Sequence, residues 1–357
     1  MNARSPSLYD LSLSELEHLM KAWGEPAYRA QQIYKQLYVN LAESPSAMTN
    51  LPQALRERLA RETRMPDLDL VRVQTGDRGM TRKALFRVSD KAPVEAVLMI
   101  YPDRATVCVS TQSGCAVDCS FCATGKMGFK QNLTAGQMIE QVLWAARELK
   151  AAGPGSPKLS NIVYMGMGEP FNNYDRWWAS VERLHDPKGF NMGARGFTVS
   201  TVGIVPGIRR LALEKLPVNL AISLHAPDDD LRSKLVPINK RYPISAVIDA
   251  VRDYTERTHR RVSFEYVLLE GVNDSPDQAL RLARLLRGEH EEKRPLLCHV
   301  NLIPWNPVPG MPLTPSARRR VLDFEKVLQN HHVPCTIRVQ RGVDIAAACG
   351  QLAGSAR

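Results

Sequence analysis

Nowhere in the 357 residues does an uncharged run approach the roughly 18 residues that would span a bilayer. The opening stretch, "MNARSPSLYDLSLSELEHL", has no apolar segment of the secretory kind. Both absences argue for a cytoplasmic protein without a membrane partner. Internal repeats and low-complexity tracts are missing as well. Acidic residues are in the minority: 47 Lys and Arg against 37 Asp and Glu leave a net charge of +10, which permits nucleic-acid binding without requiring it. The cysteines lack the even count and regular spacing of a disulfide framework. There are seven, unevenly spread, which fits metal-binding or catalytic thiols in a reducing compartment.

With 44% hydrophobic and 24% charged residues, the chain can bury a large domain and a smaller one. Residues 8 to 64 read as helices. Ser12 and Glu15 form a capping-box pattern, and Leu16, Leu19, Met20 and Trp23 recur at helical spacing. "LPQALRERLARETR" carries Arg56, Arg58, Arg61 and Arg64, on either a solvated helix face or an RNA-contacting one. This helical N-terminal accessory domain is expected to span 1–67. From 68 to 103 "LDLVRVQ", "KALFRVS" and "VEAVLMI" read as a small antiparallel β connector broken by "TGDRGMTR" and "DKAP".

From 104 to 341 the rhythm is strand, loop, helix. Strands are expected in "ATVCVSTQ", "LSNIVYMG", "GFTVSTV", "PVNLAISLH", "RVSFEYVLL" and "LLCHVNLIP". Helical patterns such as "TAGQMIEQVLWAARELK", "SAVIDAVRDYTERTH" and "PSARRRVLDFEKVLQNHH" lie between them. Alternating units imply a parallel sheet with helices outside. Six units are too few for a closed eight-fold barrel, so the α/β fold expected is a partial, open (βα)6 TIM-like barrel, with a doubly wound sheet as the second choice. In both, ligands sit at the carboxyl ends of the strands.

The unusual residues fall at those ends. Cys115, Cys119 and Cys122 follow the first strand, "GMGEP" (166–170) the second, and Ser200 ends the third. Ser223, Leu224 and His225 end the fourth, and Asn306 follows the last. "GMGEP" is no dinucleotide fingerprint, because Phe171 stands where the third glycine would be. C-x3-C-x2-C places three thiols on one short loop, with no nearby fourth Cys or His to complete a tetrahedral zinc site. A 4Fe-4S cluster held by three cysteines leaves one iron open to a ligand. The spacing, with Phe121 before the third cysteine, resembles the radical S-adenosylmethionine (SAM) superfamily, in which the open iron chelates SAM and an electron cleaves it to a deoxyadenosyl radical.

From about residue 8 to 354 the chain further resembles the RlmN/Cfr family of radical SAM RNA adenine methyltransferases. The resemblance rests on "CVSTQSGCAVDCSFCATG", "MGMGEP", "STVGIVPGI", "SLHAPDDDLRSKLVPIN", "GVND", "HVNLIPWNP" and "RGVDIAAACGQLAG". It implies that Cys115, Cys119 and Cys122 hold the cluster and that Gly168, Glu169, Ser200, Ser223, Leu224, His225 and Asn306 bind SAM, two molecules per turnover. It implies a substrate adenine in 23S rRNA and, in some members, the adenine beside a tRNA anticodon. An electron donor such as flavodoxin or ferredoxin and action as a monomer are implied too. In the family the late cysteine, here Cys349 on a C-terminal segment (342–357), takes a methyl from SAM, loses a hydrogen atom to the radical and joins the adenine. Cys108 matches the thiol that releases the product, leaving a transient Cys108–Cys349 disulfide. "GEP" with Pro170 and "PWNP" with Trp305 resemble the C2-methylating branch rather than the C8 branch.

Glu95, a carboxylate inside an apolar strand, is costly unless paired or functional, and it matches a family acid proposed to handle the proton. Glu95 and Cys108 compete for that role. Cys108 alternates with Val107 and Val109, which lets its side chain face the site. Cys298 and Cys335 are expected to be core thiols. Phe171 departs from the leucine usual after "GEP". Two other classes of function share part of this pattern. A non-catalytic iron–sulfur or zinc RNA-binding protein has no use for the strand-end SAM contacts or Cys349, and a radical SAM enzyme acting on a non-RNA substrate gains nothing from the basic surface.

Overall fold

The computed structural model describes residues 5–88, 92–289 and 294–354. Helix α1 (Leu13–Ala22) starts at a capping box in which Ser12 accepts from Glu15 N and the Glu15 carboxylate accepts from Ser12 N at 2.7 Å. Leu16 and Met20 are buried, while Leu19 and Trp23 pack against the core from its margin. Helices α2 (Tyr28–Tyr38) and α3 (Gln53–Glu62) complete the helical part. The arginines of α3 and its continuation are engaged within the chain. Arg58 lies over the Trp23 ring and donates to Trp23 O, Arg56 donates to Ser46 O, and Arg64 pairs with Asp67. Only Arg61, whose single partner is neighbouring Glu62, stands clear of that framework.

Three antiparallel strands follow: β1 (Asp69–Gly76), β2 (Thr81–Arg87) and β3 (Pro93–Ile100). Ser89, at the end of the second expected strand, lies outside the described residues. These strands are not a separate layer. β3 pairs antiparallel with β4 (Ala105–Cys108), Val97 opposite Cys108, so the connector extends the barrel sheet. The reason is the tight turn after β3, where Tyr101 N donates to Arg104 O at 2.8 Å and folds the two strands into a hairpin.

After β4 come β5 (Gln112–Ser113), α4 (Ala123–Lys126), β6 (Gln131–Asn132), α5 (Ala135–Ala151), β7 (Leu159–Tyr164), α6 (Tyr174–His185), β8 (Phe197–Thr201) and α7 (Val205–Leu211). Next are β9 (Asn219–Ser223), α8 (Asp229–Leu235), α9 (Ile244–Thr258), β10 (Val262–Leu268), α10 (Pro276–Arg287), β11 (Cys298–Pro304), α11 (Arg318–Asn330) and β12 (Cys335–Ile337). The ten-stranded sheet runs β1-β2-β3-β4-β7-β8-β9-β10-β11-β12, parallel from β4 onward. The six expected barrel strands are all present, in an open arrangement. β12 is an addition, half-buried Cys335 and Ile337 flanking an exposed Thr336, with no apolar run to announce it. It also corrects Cys335, which sits half-buried on this edge strand rather than in the core, whereas Cys298 is buried.

Ile162, Val199, Leu220, Phe264 and Val300 occupy successive parallel strands and are essentially inaccessible. Each such side chain stabilises the fold by about 1.5–3 kcal/mol. The helical part shares this core with the barrel and is tied to α5. Arg147 donates to Leu41 O and Tyr9 Oη, both at 3.0 Å, and Glu140 accepts from Asp67 N and Leu68 N. Burial pushes the Glu140 carboxyl up to about 8. No described helix is long and apolar enough to cross a membrane.

Candidate active site

At the carboxyl ends of the barrel strands lies a cavity whose wall includes Cys115, Cys119, Cys122, Gly168, Glu169, Ser200, Ser223 and His225. The cysteine loop leaves β5 and is pinned from several sides. Ser120 N donates to Leu235 O, Ala123 N to Gly350 O, and the Trp305 indole to Phe121 O at 2.9 Å. Burial pushes the Cys115 thiol up to about 12 and Cys119 higher than an ordinary thiol, with each neighbouring sulfur adding to the rise. Three thiols so placed become thiolates only beside strong positive charge. Among the described residues no three His, Cys, Asp or Glu side chains converge closely enough to hold one ion. All three thiols line the one cavity, which suits a cluster offering each sulfur its own iron better than a single zinc.

The "GMGEP" loop is shaped by sterics. Gly168 has φ +99°, and a Cβ there would lie 2.5 Å from Gln112 Cβ; one on Gly166 would lie 2.7 Å from Ser110 Oγ. Glu169 then turns its carboxylate to Phe171 N (3.0 Å) and Val202 N (2.9 Å), while burial pushes it up to about 7. Phe171 fits because Gly207 faces it: a Cβ on Gly207 would lie 2.5 Å from the Phe171 ring, which stacks among Tyr174 and Trp177. Ser200 and Ser223 share a 3.1 Å hydrogen bond across adjacent strands. His225 accepts from Val267 N through Nδ1, and burial beside Arg232 lowers it to about 3, so the imidazole is neutral.

Arg232 supports these strand ends from behind. It is wholly buried and donates to Val202 O (2.6 Å), Leu224 O (3.0 Å), Ser223 O (3.2 Å) and Asn239 Oδ1 (2.7 Å). Two expected SAM residues are absent from this wall: Asn306, which lines a neighbouring cavity, and Leu224. The Leu224 side chain is in the core, its N–H donates to Glu265 O and its carbonyl accepts from Arg232.

A second cavity adjoins the first and is walled by Cys108, Met99, Tyr101, Arg104, Asn306 and Arg341, among others. Cys122, Met165, Arg338 and Cys349 belong to both walls. Cys349 is accessible because it faces the cavities, yet protein surrounds it, and loss of water raises its pKa while the Arg338 guanidinium opposes the rise. Burial pushes Cys108 up to about 12, with Cys349 contributing as its nearest ionisable neighbour. All seven cysteines are free thiols.

The segment bearing Cys349 is held on every side. Gly342 N donates to Asp77 (2.8 Å), Lys83 to Ala346 O (3.1 Å), Asn306 to Cys349 O (3.1 Å) and Thr124 to Leu352 O (2.6 Å). Glu95 closes it: one carboxylate oxygen pairs with Lys83 at 3.1 Å, and the other accepts from Ala353 N and Gly354 N. Glu95 shares the sheet face of Val97 and Cys108, but in this conformation residues 353–354 cover it and it lines neither cavity. The Asn306 amide oxygen is buried without a partner, so it keeps an acceptor for a ligand.

Sequence reasoning passed over Glu265 and Arg338, which form a 3.6 Å ion pair on the first cavity wall. Glu265 was legible by the argument applied to Glu95, an acid inside an apolar strand. Arg338 was not, because an arginine beyond a three-residue strand resembles any surface cation.

A family profile for the radical SAM superfamily matches residues 109–283, and one for the ribosomal RNA large subunit methyltransferase N-terminal domain matches residues 7–65. A curated protein of Chloroflexus aurantiacus, "Probable dual-specificity RNA methyltransferase RlmN", is 63% identical over 350 residues, covering 97% of this chain and 92% of its own. The protein of the same description from Roseiflexus castenholzii is 60% identical over 383 residues, covering 98% and 96%. Among solved structures, a radical SAM methyltransferase from Sphaerobacter thermophilus superposes with a TM-score of 0.94 at 54% identity, covering 98% of this chain and 100% of that one.

Proposed function

The chain belongs to the RlmN family of radical SAM RNA methyltransferases, and from that premise we propose that it methylates C2 of an adenine in 23S rRNA, and the adenine beside a tRNA anticodon as a second substrate. The observation that carries this reading is the position of Cys349 in the wall shared by the two cavities, with the cluster thiols on one side and Cys108 on the other.

Cys115, Cys119 and Cys122 would hold the 4Fe-4S cluster, and Gly168, Glu169, Ser200, Ser223, His225 and Asn306 are placed to hold SAM. When bound, the pair supplies an electron that cleaves SAM and a deoxyadenosyl group that takes a hydrogen atom. C2 of adenine is electron-poor and cannot attack a methyl sulfonium itself, so the protein supplies the nucleophile. Cys349, as thiolate, takes the methyl of a first SAM, whose carbon–sulfur bond breaks. Arg338 favours that thiolate. After losing a hydrogen atom to a second SAM's fragment, the Cys349 methylene bonds to C2, and the ring gives up one electron, for which the oxidised cluster would be the acceptor, and one proton to a base. Cys108 then attacks the Cys349 sulfur, breaking its bond to carbon. The methylated base leaves with a proton and the two sulfurs remain joined. Of the two candidates for the proton that the ring gives up, Cys108 lines the second cavity, while residues 353–354 cover Glu95.

The test is mass spectrometry of rRNA and tRNA from a host with and without this chain. Loss of 2-methyladenosine at one rRNA position and one anticodon-adjacent position is expected. Loss of 8-methyladenosine would assign the chain to the C8 branch, and unchanged RNA would overturn the reading.

A further inference from the structure

The rim of the second cavity carries an arrangement that the chemistry above does not use. The Arg104 guanidinium lies 4.3 Å from the centroid of the Tyr101 ring and that of Arg341 lies 5.2 Å from it. Both guanidinium groups thus rest against one aromatic ring. Arg104 has a single ion pair, 3.2 Å to an Asp103 carboxylate that is 74% exposed, and such a surface pair contributes little in water. Arg341 keeps its Nε buried with no hydrogen-bond partner among the described residues. Arg104, Arg338 and Arg341 line this cavity and no carboxylate does. Two guanidinium forks on one ring and in one cavity wall, with donors to spare, match the phosphates of an RNA strand, which take such donors in pairs.

We propose that Arg104 and Arg341, ordered by Tyr101, form a phosphodiester clamp that seats an RNA strand at the mouth of the cavity, so that one nucleotide reaches Cys349 and Cys108. The clamp rests on the reading that RNA is the substrate. Tyr101 is a positioning residue: it touches the guanidinium groups, and they touch the phosphate.

The test uses the full, cluster-loaded chain and an unmodified transcript of the 23S rRNA peptidyl-transferase region, with affinity measured by fluorescence anisotropy across a salt series. The Arg104→Gln, Arg341→Gln double variant should bind about tenfold more weakly, and its log–log salt slope should be shallower by about 0.7 per lost contact. Its iron content and melting temperature should match the wild type. Tyr101→Leu should move affinity and slope the same way with both arginines present, and Tyr101→Phe should restore them. If the wild type binds and the double variant keeps its affinity and slope, the clamp is wrong and the RNA reading stands. Weaker binding with an unchanged slope also overturns the clamp, since no phosphate contact was lost. An unaffected Tyr101→Leu overturns the positioning role. If the wild type itself fails to bind the transcript, the RNA reading fails and the clamp with it.

Discussion

The two cavities that meet at Cys349 are built differently. In the cavity lined by the three cysteines several polar groups are buried and already bonded: Glu169 accepts two backbone N–H groups and His225 accepts one, with Arg232 among carbonyls behind them. The other cavity adds Arg104 and Arg341, both with donors unused, to the shared Arg338, and no acid lines it among the described residues. A small cofactor of fixed shape can be met by groups locked in place before it arrives, whereas a large polyanion is met by long cations that keep freedom until it docks. In the proposed reaction Cys349 serves both, and its segment is tied to each side, through Ala123 and Thr124 toward the cysteine loop and through Asp77, Lys83 and Glu95 toward the connector.

The harshest way to break this division is to remove one side alone. A Cys115→Ala, Cys119→Ala, Cys122→Ala variant should contain no iron and cleave no SAM, yet retain RNA binding. Iron and sulfide analysis of anaerobically purified protein with an RNA shift assay checks it. Stoichiometric zinc in the wild type would defeat the cluster assignment.

Next comes the shared wall. Cys349→Ala should acquire no methyl group and form no adduct with RNA, whereas Cys108→Ala should be methylated, join the adenine and stall as a covalent protein–RNA species. Denaturing gels of labelled RNA, followed by mass spectrometry of the nuclease-treated protein, tell the two apart. Sustained turnover by Cys108→Ala would show that the thiols are assigned wrongly.

Arg232 sharpens the claim that the SAM side is prelocked. Arg232→Leu strips buried carbonyls of their donors, at about 1–3 kcal/mol for each group left unsatisfied, and frees Val202 and Ser223. The variant should melt well below the wild type and bind SAM more weakly while its RNA affinity at low temperature changes little. Equal loss of both affinities would mean that the two sides are not separable.

The smallest effect expected lies outside both cavities. The folded-state pKa of Glu140, about 8, is above its value in the unfolded chain, so the folded protein holds the proton more tightly. Its contribution is present in full below the unfolded-state pKa and is lost as pH rises toward 8. Urea unfolding at pH 5 and pH 8 should therefore show a decline with pH that Glu140→Gln reduces, with SAM cleavage unaffected. A decline of the same size in the variant would assign the pH dependence to other groups.

Much of this was legible in the chain. The six barrel strands, the capping box at Ser12 and the strand-end placement of Cys115, Ser200, Ser223 and His225 follow from local periodicity and turn chemistry, which act within a few residues. What was not legible shares the opposite trait. Leu224 sits at the expected strand end, but which way its side chain turns depends on the pleat and on Arg232. β12 is a strand because β11 offers it an edge, not because its own residues demand one. The arginines of α3 were open to an RNA role in sequence, and it is Trp23, Ser46 and Asp67 that claim three of them.

What the sequence by itself determined is the chemistry: three thiols on one loop, the strand-end "GMGEP" motif, and a further thiol near the end of the chain. These depend on residue type and short spacing. The tertiary structure alone decided which groups face one another. Closing the connector onto the barrel sheet sets Cys108 beside Cys349 and folds the Glu95–Lys83 pair over the C-terminal segment. The same hairpin carries Tyr101 and Arg104 to Arg341. Such pairings join residues far apart in the chain, and they form because the β3–β4 register and a common buried core leave those side chains no other neighbours.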